Sequence, residues 1–154
     1  MKFLVKPLVF GALALPAVYM FYAVFLAFTG GENLLGPDPA KTLALQTGEW
    51  AIRVLLVALA MTPIRHLLNW PYAWQLRRMT GLFAFFYASL HLLVFIMFLL
   101  GWEWSELATE IIERPYITLG FAAYVLLLPL ALTSFNLAQR RLGRNWKKLH
   151  RAVL

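Results

Sequence analysis

One histidine, His91, stands in the middle of a stretch that is otherwise suited to hydrocarbon. No residue from Met79 to Trp102 carries a formal charge, and His91 lies near the middle of that stretch, in "YASLHLLVF". An ionisable side chain at that depth is a functional candidate. It could ligate haem iron, which needs a second axial group on a facing helix, or join a proton relay, which needs further buried acids or bases.

A structural role for His91 is the alternative. A neutral imidazole can be held inside a helix bundle by a serine, a tyrosine or a backbone carbonyl, and Tyr87 and Ser89 are close in sequence. The uncharged stretches contain no carboxylate, so the proton relay has little support.

Two arginines, Arg77 and Arg78, precede His91, and the spacing of Arg77 indicates which helix face it occupies. Arg77 lies fourteen residues before His91, which is nearly a whole number of α-helical turns and about 21 Å of rise. Arg77 and His91 should therefore share one helix face. Arginine cannot coordinate iron, but its planar fork can bind a carboxylate or a phosphate.

The other two histidines lie at charged edges of the predicted spans. His150 lies in the basic segment "RRLGRNWKKLH", where a surface histidine among lysines is the favoured interpretation from the residues alone. His66, in "TPIRHLL", is predicted to be a loop residue.

Composition defines the elements that must position these side chains. The chain has 154 residues, 62% of them hydrophobic and 14% charged, which is typical of an integral membrane protein. A membrane span needs about 20 apolar residues. Residues 51–64 meet this requirement only if the charged pair Glu49–Arg53 reaches the lipid headgroups. We predict an all-α, polytopic membrane helix bundle, one domain over 1–154, with transmembrane helices at about 7–28, 46–64, 79–101 and 115–138 and the start of a fifth at 146–154.

Charge alternates between these helices. The successive segments carry net charges of +2, −1, +3, −3 and +6, and the positive-inside rule then places both termini in the cytoplasm. The basic excess is topogenic, so nucleic-acid binding is not expected. The outer segment 102–114 could form a short amphipathic helix at the interface. The absence of cysteine excludes thiolate iron–sulfur ligation, disulfides and covalent haem attachment.

Four segments carry a family resemblance. They are "TGEWAIRVLLVALAMTPIR", "RRMTGLFAFFYASLHLLVF", "RPYITLGFAAYVLLLPLALTS" and "RRLGRNWKKLH". In this order they resemble the MsrQ family, the haem-binding membrane subunits of the periplasmic methionine-sulfoxide reductase system, within the ferric-reductase-like transmembrane superfamily. The resemblance runs from about Thr29 to the last residue.

The resemblance implies a conduit in the bacterial inner membrane that carries b-type haem. Electrons would pass from the quinone pool to a periplasmic molybdenum-containing partner, MsrP, so this chain would be an electron-transfer subunit and not the substrate-reducing one. A flavin, FMN, is also associated with the family. By this resemblance, His91 matches an essential haem histidine, and His150 matches the first histidine of the family's fifth helix. Arg77 and Arg78 match a pair of arginines at the inner end of the family's third helix.

One departure from the family pattern affects the haem site. The family has six helices and a third histidine about one span beyond His150, whereas this chain ends at Leu154, so we expect a C-terminally shortened chain. His150 cannot ligate the same haem iron as His91. His91 lies about 18 Å from the cytoplasmic end of its helix, but two axial nitrogens on one iron lie only about 4 Å apart. A homo-oligomer or the missing segment would supply the second ligand. The alternative function is a non-redox membrane protein, a transporter fragment or assembly factor, with a structural His91.

Overall fold

The computed structural model describes residues 2–68 and 73–134, which are mainly helical. The helices are α1 (Lys2–Thr29), α2 (Pro39–Leu68), α3 (Ala73–Val94) with a π-helical turn (Phe95–Leu99), α4 (Trp104–Glu113) and α5 (Pro115–Leu132). The described residues contain no strand. Four helical segments are long and apolar enough to cross a membrane: 4–29, 39–65, 76–99 and 115–132. The predicted all-α class with four membrane-spanning helices is therefore confirmed.

Several helix bounds differ from the predicted ones. α2 begins at Pro39 and not at 46, and α3 begins at Ala73 and not at 79. His66 lies in the last turn of α2 and not in a loop. The prediction followed uncharged windows, but a helix can continue past the hydrocarbon with its charged residues at the headgroups. The end of the predicted helix 115–138 and the predicted segment 146–154 lie outside the described residues.

The start of α2 is set by a local cap. The Asp38 side chain accepts a hydrogen bond from the Lys41 backbone N–H at 3.0 Å, and the Asp38 carbonyl accepts one from Thr42 N–H at 3.0 Å. Aspartate is a favoured N-cap residue, and Pro39 occupies the first helical position, where its missing N–H costs nothing. This cap explains why α2 starts seven residues earlier than predicted.

The connection from α1 to α2 is an ordered turn. Gly30 has a φ of +76°, and the Gly31 N–H bonds the Leu26 carbonyl at 2.9 Å, which is the pattern of a glycine C-cap. The Asn33 side chain then bonds the Gly36 carbonyl at 2.7 Å and the Leu35 N–H at 3.1 Å. This turn directs the buried Leu35 side chain against the helices.

Of the described residues, those up to Leu99 form one compact unit, and those from Leu100 onwards belong to another. In the first unit, α2 and α3 make the most extensive helix contact. Buried positions there include four alanines, Ala17, Ala23, Ala44 and Ala84. Small residues let the backbones approach, and van der Waals packing drives helix association inside a bilayer.

Tyr87 connects α3 to α1. Its fully buried hydroxyl donates to the Leu13 carbonyl at 2.7 Å and accepts from the Ala17 N–H at 3.1 Å. These two groups are an i, i+4 backbone pair of α1, next to Pro16. Proline removes a backbone donor from a helix, and a neighbouring side chain commonly satisfies the loosened backbone in membrane helices.

In the second unit, α4 confirms the predicted short helix within 102–114. Arg114, between α4 and α5, forms an ion pair with Glu110 at 2.9 Å and donates to the Tyr116 hydroxyl at 3.2 Å. The hydrogen bond to Tyr116, followed by the charge of Glu110, raises the pKa of Arg114 above its usual value. Pro115 begins α5 at its first helical positions, as is common for proline.

Candidate functional site

His91 lies on α3, four residues before the first residue of the π-helical turn, and its side chain is half-buried. Its imidazole faces α2. Nδ1 lies 2.9 Å from the Ala44 carbonyl oxygen and 3.3 Å from the Thr47 hydroxyl oxygen. The partner of His91 is therefore a backbone carbonyl of another helix, one of the three partners considered from the sequence.

The Ala44 carbonyl determines that Nδ1 of the imidazole ring carries a proton. A carbonyl oxygen can only accept, so the hydrogen-bond network assigns the proton to Nδ1. In the neutral imidazole, Nε2 then carries the free lone pair. Within residues 2–68 and 73–134, Nε2 makes no hydrogen bond.

Thr47 and Gly48 complete the contact on α2. Thr47 is buried, and its hydroxyl donates to the Leu43 or Ala44 carbonyl, at 2.7 and 3.1 Å. A Cβ atom on Gly48 would lie 3.1 Å from both Cε1 and Nδ1 of His91. Only glycine therefore leaves the imidazole in this position without displacing it.

The neighbouring side chains proposed as partners have other roles. The Ser89 hydroxyl donates to the Phe85 carbonyl at 2.8 Å on its own helix, and Tyr87 bonds α1. No cluster of three or more histidine, cysteine, aspartate or glutamate residues that could hold a metal ion occurs in the described part of the chain. The site can therefore supply one imidazole nitrogen to a metal that arrives with most of its own ligands, as haem iron does.

Arg77 and Arg78 lie near the opposite end of α3. The Arg77 side chain is half-buried and makes no hydrogen bond or ion pair among the described residues, whereas Arg78 is exposed and has a partner. Arg77 and His91 share the continuous α-helix 73–94, so the fourteen-residue spacing places them on one face about 21 Å apart. The structure does not bring Arg77 together with His91, and His150 lies outside the described residues.

A polar atom on α2 was missed by the sequence reasoning. The Thr62 hydroxyl oxygen is buried and has no hydrogen-bond partner among the described residues. α2 runs antiparallel to α3, and residues 44–48 of α2 lie beside His91. Arg77 precedes His91 by fourteen residues on α3, so residues 58–62 of α2, fourteen residues further along, lie at a similar depth to Arg77. Thr62 therefore lies at about the depth of Arg77.

The Glu49–Arg53 ion pair forms within α2. α2 begins ten residues before Glu49, so the pair lies near the middle of the candidate span Pro39–Arg65 and not in the first turn of the helix. Both side chains are about half exposed, and the Arg53 guanidinium lies 5.2 Å from the centre of the Trp50 ring. Mutual pairing lowers the cost of such charges inside a span.

The sequence reasoning also missed Ala44, Thr47 and Gly48. A glycine inside a helix costs about 1 kcal/mol relative to alanine, so an internal glycine commonly marks a close approach. Gly48 was such a signal. Ala44 contributes only a backbone carbonyl, which no side-chain pattern reveals.

The fold and this histidine define a class: a multi-pass helical membrane protein that carries, within a candidate span, a histidine oriented by a backbone carbonyl of a neighbouring helix. Residues 47–154 match the family model described as "Ferric reductase like transmembrane component". No solved structure matches the chain.

Curated relatives identify the family more closely. The chain is 44% identical over 148 residues to the "Protein-methionine-sulfoxide reductase heme-binding subunit MsrQ" of Xanthomonas euvesicatoria pv. vesicatoria (strain 85-10), which covers 96% of this chain and 68% of that protein. It is 42% identical over 149 residues to the protein of the same name from Polaromonas naphthalenivorans (strain CJ2). The aligned region covers 96% of this chain and 65% of the Polaromonas protein. The chain belongs to the MsrQ family.

Proposed function

We infer that this chain is a transmembrane electron-transfer subunit that binds b-type haem, with Nε2 of His91 as an axial ligand. The observation that carries this proposal is the hydrogen bond from His91 Nδ1–H to the Ala44 carbonyl. A histidine that ligates a metal almost always donates its other ring N–H to a carboxylate, a carbonyl or water, which fixes the tautomer and the ring orientation.

The residues around His91 suit an axial imidazole ligand. Gly48 leaves room for the imidazole ring, and Thr47 offers a second acceptor for the Nδ1 proton. Haem supplies an iron that changes between ferric and ferrous states and so carries one electron at a time. The protein holds the imidazole, and the basicity of Nε2 rises through the bond at Nδ1.

The depth of the site suits delivery to one side of the membrane. The two α2 residues that contact Nδ1, Ala44 and Thr47, lie five and eight residues after Pro39, or about 8 to 12 Å along the helix. With both termini in the cytoplasm, as the charge alternation favours, this end faces the periplasm. We propose the inner membrane as the location and a periplasmic molybdenum-containing reductase of the MsrP type as the electron acceptor.

Three finer assignments rest on the family resemblance and extend the proposal. His150 is the second proposed haem-binding histidine. Arg77 and Arg78 are proposed to bind an anionic cofactor group, a haem propionate or the phosphate of FMN. The half-buried Arg77 guanidinium, which makes no hydrogen bond or ion pair among residues 2–68 and 73–134, supports this role. The quinone pool is the proposed electron donor.

Haem content tests the His91 assignment. His91→Ala should abolish or strongly reduce haem per mole of membrane-purified protein, because a ligand is lost but no helix-forming residue is. Ser89→Ala is the matched control, since Ser89 lies two residues from His91 on α3 and its hydroxyl donates to the Phe85 carbonyl. Added imidazole should restore haem binding to His91→Ala, which a merely structural role would not produce.

Two results would contradict this function. Unchanged haem content in His91→Ala would remove the ligand assignment. A wild-type protein that shows no haem absorption bands after expression with sufficient haem would favour a non-redox membrane protein in which His91 is structural.

A further inference from the structure

A cavity of about 380 Å³ opens in the first unit, close to the turn that joins α1 and α2. Its volume lies in the range of small-molecule sites, which are concave and mostly apolar with few polar groups. Its lining includes Val24, Phe28, Leu35, Asp38, Leu43 and Phe98. The contributing elements are the end of α1, the ordered turn, the start of α2 and the π-helical turn.

Among the described residues, Asp38 is the only charged one that lines this cavity, and it is exposed. One carboxylate oxygen, Oδ1, accepts the capping hydrogen bond from the Lys41 N–H at 3.0 Å. The other oxygen makes no hydrogen bond within the described residues. An acceptor in an apolar cavity favours a neutral ligand with a hydroxyl donor, and its negative charge disfavours phosphates and carboxylates.

The cavity lies close to the proposed haem ligand. Phe98 follows His91 by seven residues along α3 and the π-helical turn, which is about 10 Å of rise. On the facing helix, Leu43 immediately precedes Ala44, whose carbonyl holds the imidazole. π-Helical turns inside α-helices are frequent at functional sites.

We propose that this cavity binds the ring of a membrane hydroquinone. The inference rests on the proposed function, because it locates the electron donor of that function. One ring hydroxyl donates to the free oxygen of Asp38, the apolar lining covers the ring, and Phe28 and Phe98 supply aromatic surface. The isoprenoid tail leaves along α1, where Phe25 and Phe28 are exposed.

Two variants and one control test the site in the full-length, membrane-purified protein. Ala27→Trp fills the cavity, since Ala27 lines it. Asp38→Asn keeps the helix cap, because asparagine caps as well as aspartate, but it removes the charged acceptor. Ala12→Trp is the control, with the same substitution at an exposed position of α1 outside the lining.

The first measurement is photolabelling by a short-tailed azidobenzoquinone, followed by peptide mapping, which needs no haem. Label should fall on residues 24–43 or on the π-helical turn, should be competed by unlabelled quinone, and should be lost in Ala27→Trp but retained in Ala12→Trp. Asp38→Asn should weaken binding about ten- to a hundredfold, as expected for a lost hydrogen bond to a charged group. Label elsewhere, or label that survives Ala27→Trp, overturns the inference.

The second measurement is the rate of haem reduction by a water-soluble benzoquinol, with dithionite as a reductant that needs no site. Ala27→Trp should slow the quinol reaction at least about tenfold, which corresponds to 1.4 kcal/mol, and leave the dithionite reaction unchanged. Equal quinol rates in wild type, Ala27→Trp and Ala12→Trp refute this cavity while the proposed function survives. Absence of haem from wild type refutes the proposed function without affecting the photolabelling result. A phospholipid that stays bound in the cavity while quinone fails to compete would identify a lipid site instead.

Discussion

The close approach of Gly48 to His91 gives a quantitative test of the site. In Gly48→Ala the new Cβ would lie 3.1 Å from Cε1 and Nδ1, whereas ordinary contacts begin at 3.4 Å. The ring must therefore move by about 0.3 Å or turn, which bends or lengthens the 2.9 Å bond to the Ala44 carbonyl. Loss of that orienting bond should lower haem affinity about ten- to a hundredfold.

Stability should respond differently from haem affinity. Replacing a helix-interior glycine by alanine gains about 1 kcal/mol of helix propensity, and a lost hydrogen bond costs about 1 kcal/mol. Gly48→Ala should therefore leave the unfolding free energy of the haem-free protein nearly unchanged. Gly81→Ala is the matched control, because its Cβ would meet no atom within 4 Å; it should stabilise the protein and leave haem affinity as it is.

Haem titration of the purified haem-free variants, followed by absorption spectroscopy, measures the affinities. Thermal unfolding of the same samples measures the stabilities. If Gly48→Ala binds haem with the affinity and spectrum of Gly81→Ala, the contact between α2 and the imidazole does not orient an iron ligand, and the reasoning from the Nδ1 bond fails.

The Tyr87 hydroxyl, the paired arginines and the charge alternation each carry a further expectation. Tyr87→Phe should destabilise the protein by about 1 kcal/mol, since two backbone groups of α1 lose a partner; an unchanged melting temperature would contradict this. Arg77→Lys should keep insertion but lower cofactor retention, because lysine lacks the bidentate fork, while Arg78→Lys should do less; equal, unaltered retention would make both arginines topogenic only. Reporters fused after Leu154 should be active only in the cytoplasm; periplasmic activity would refute the orientation.

The membrane spans could be predicted because hydrocarbon imposes a simple requirement. A span needs about 20 predominantly apolar residues. This requirement located three candidates directly, and it located the fourth, at about 46–64, on the condition that the Glu49–Arg53 pair reaches the headgroups. It did not give the helix ends, because helices continue beyond the hydrocarbon. Arg77 and Arg78 lie inside α3 although they end the uncharged window, and the Asp38–Pro39 cap starts α2 well before its apolar part.

The site was only partly predictable for a different reason. His91 was identified because an imidazole is rare in hydrocarbon. Its partner was not, since the contact to Ala44 joins residues 47 positions apart through a backbone atom that every residue type possesses. The depth of the Glu49–Arg53 pair stays a prediction, because the Asp38 cap starts α2 well before Glu49 and a helix can continue past the hydrocarbon.

The Tyr87 bridge also bears on the order in which the chain is assembled. α1 leaves the ribosome first, and Pro16 leaves the Ala12 carbonyl of that helix without the N–H that an α-helix would supply four residues later. The hydroxyl that bonds the adjacent Leu13–Ala17 pair belongs to α3, which is synthesised later. The hydrogen bonds that Tyr87 makes to this proline-containing part of α1 can therefore form only after α3, the helix that carries His91, has been synthesised.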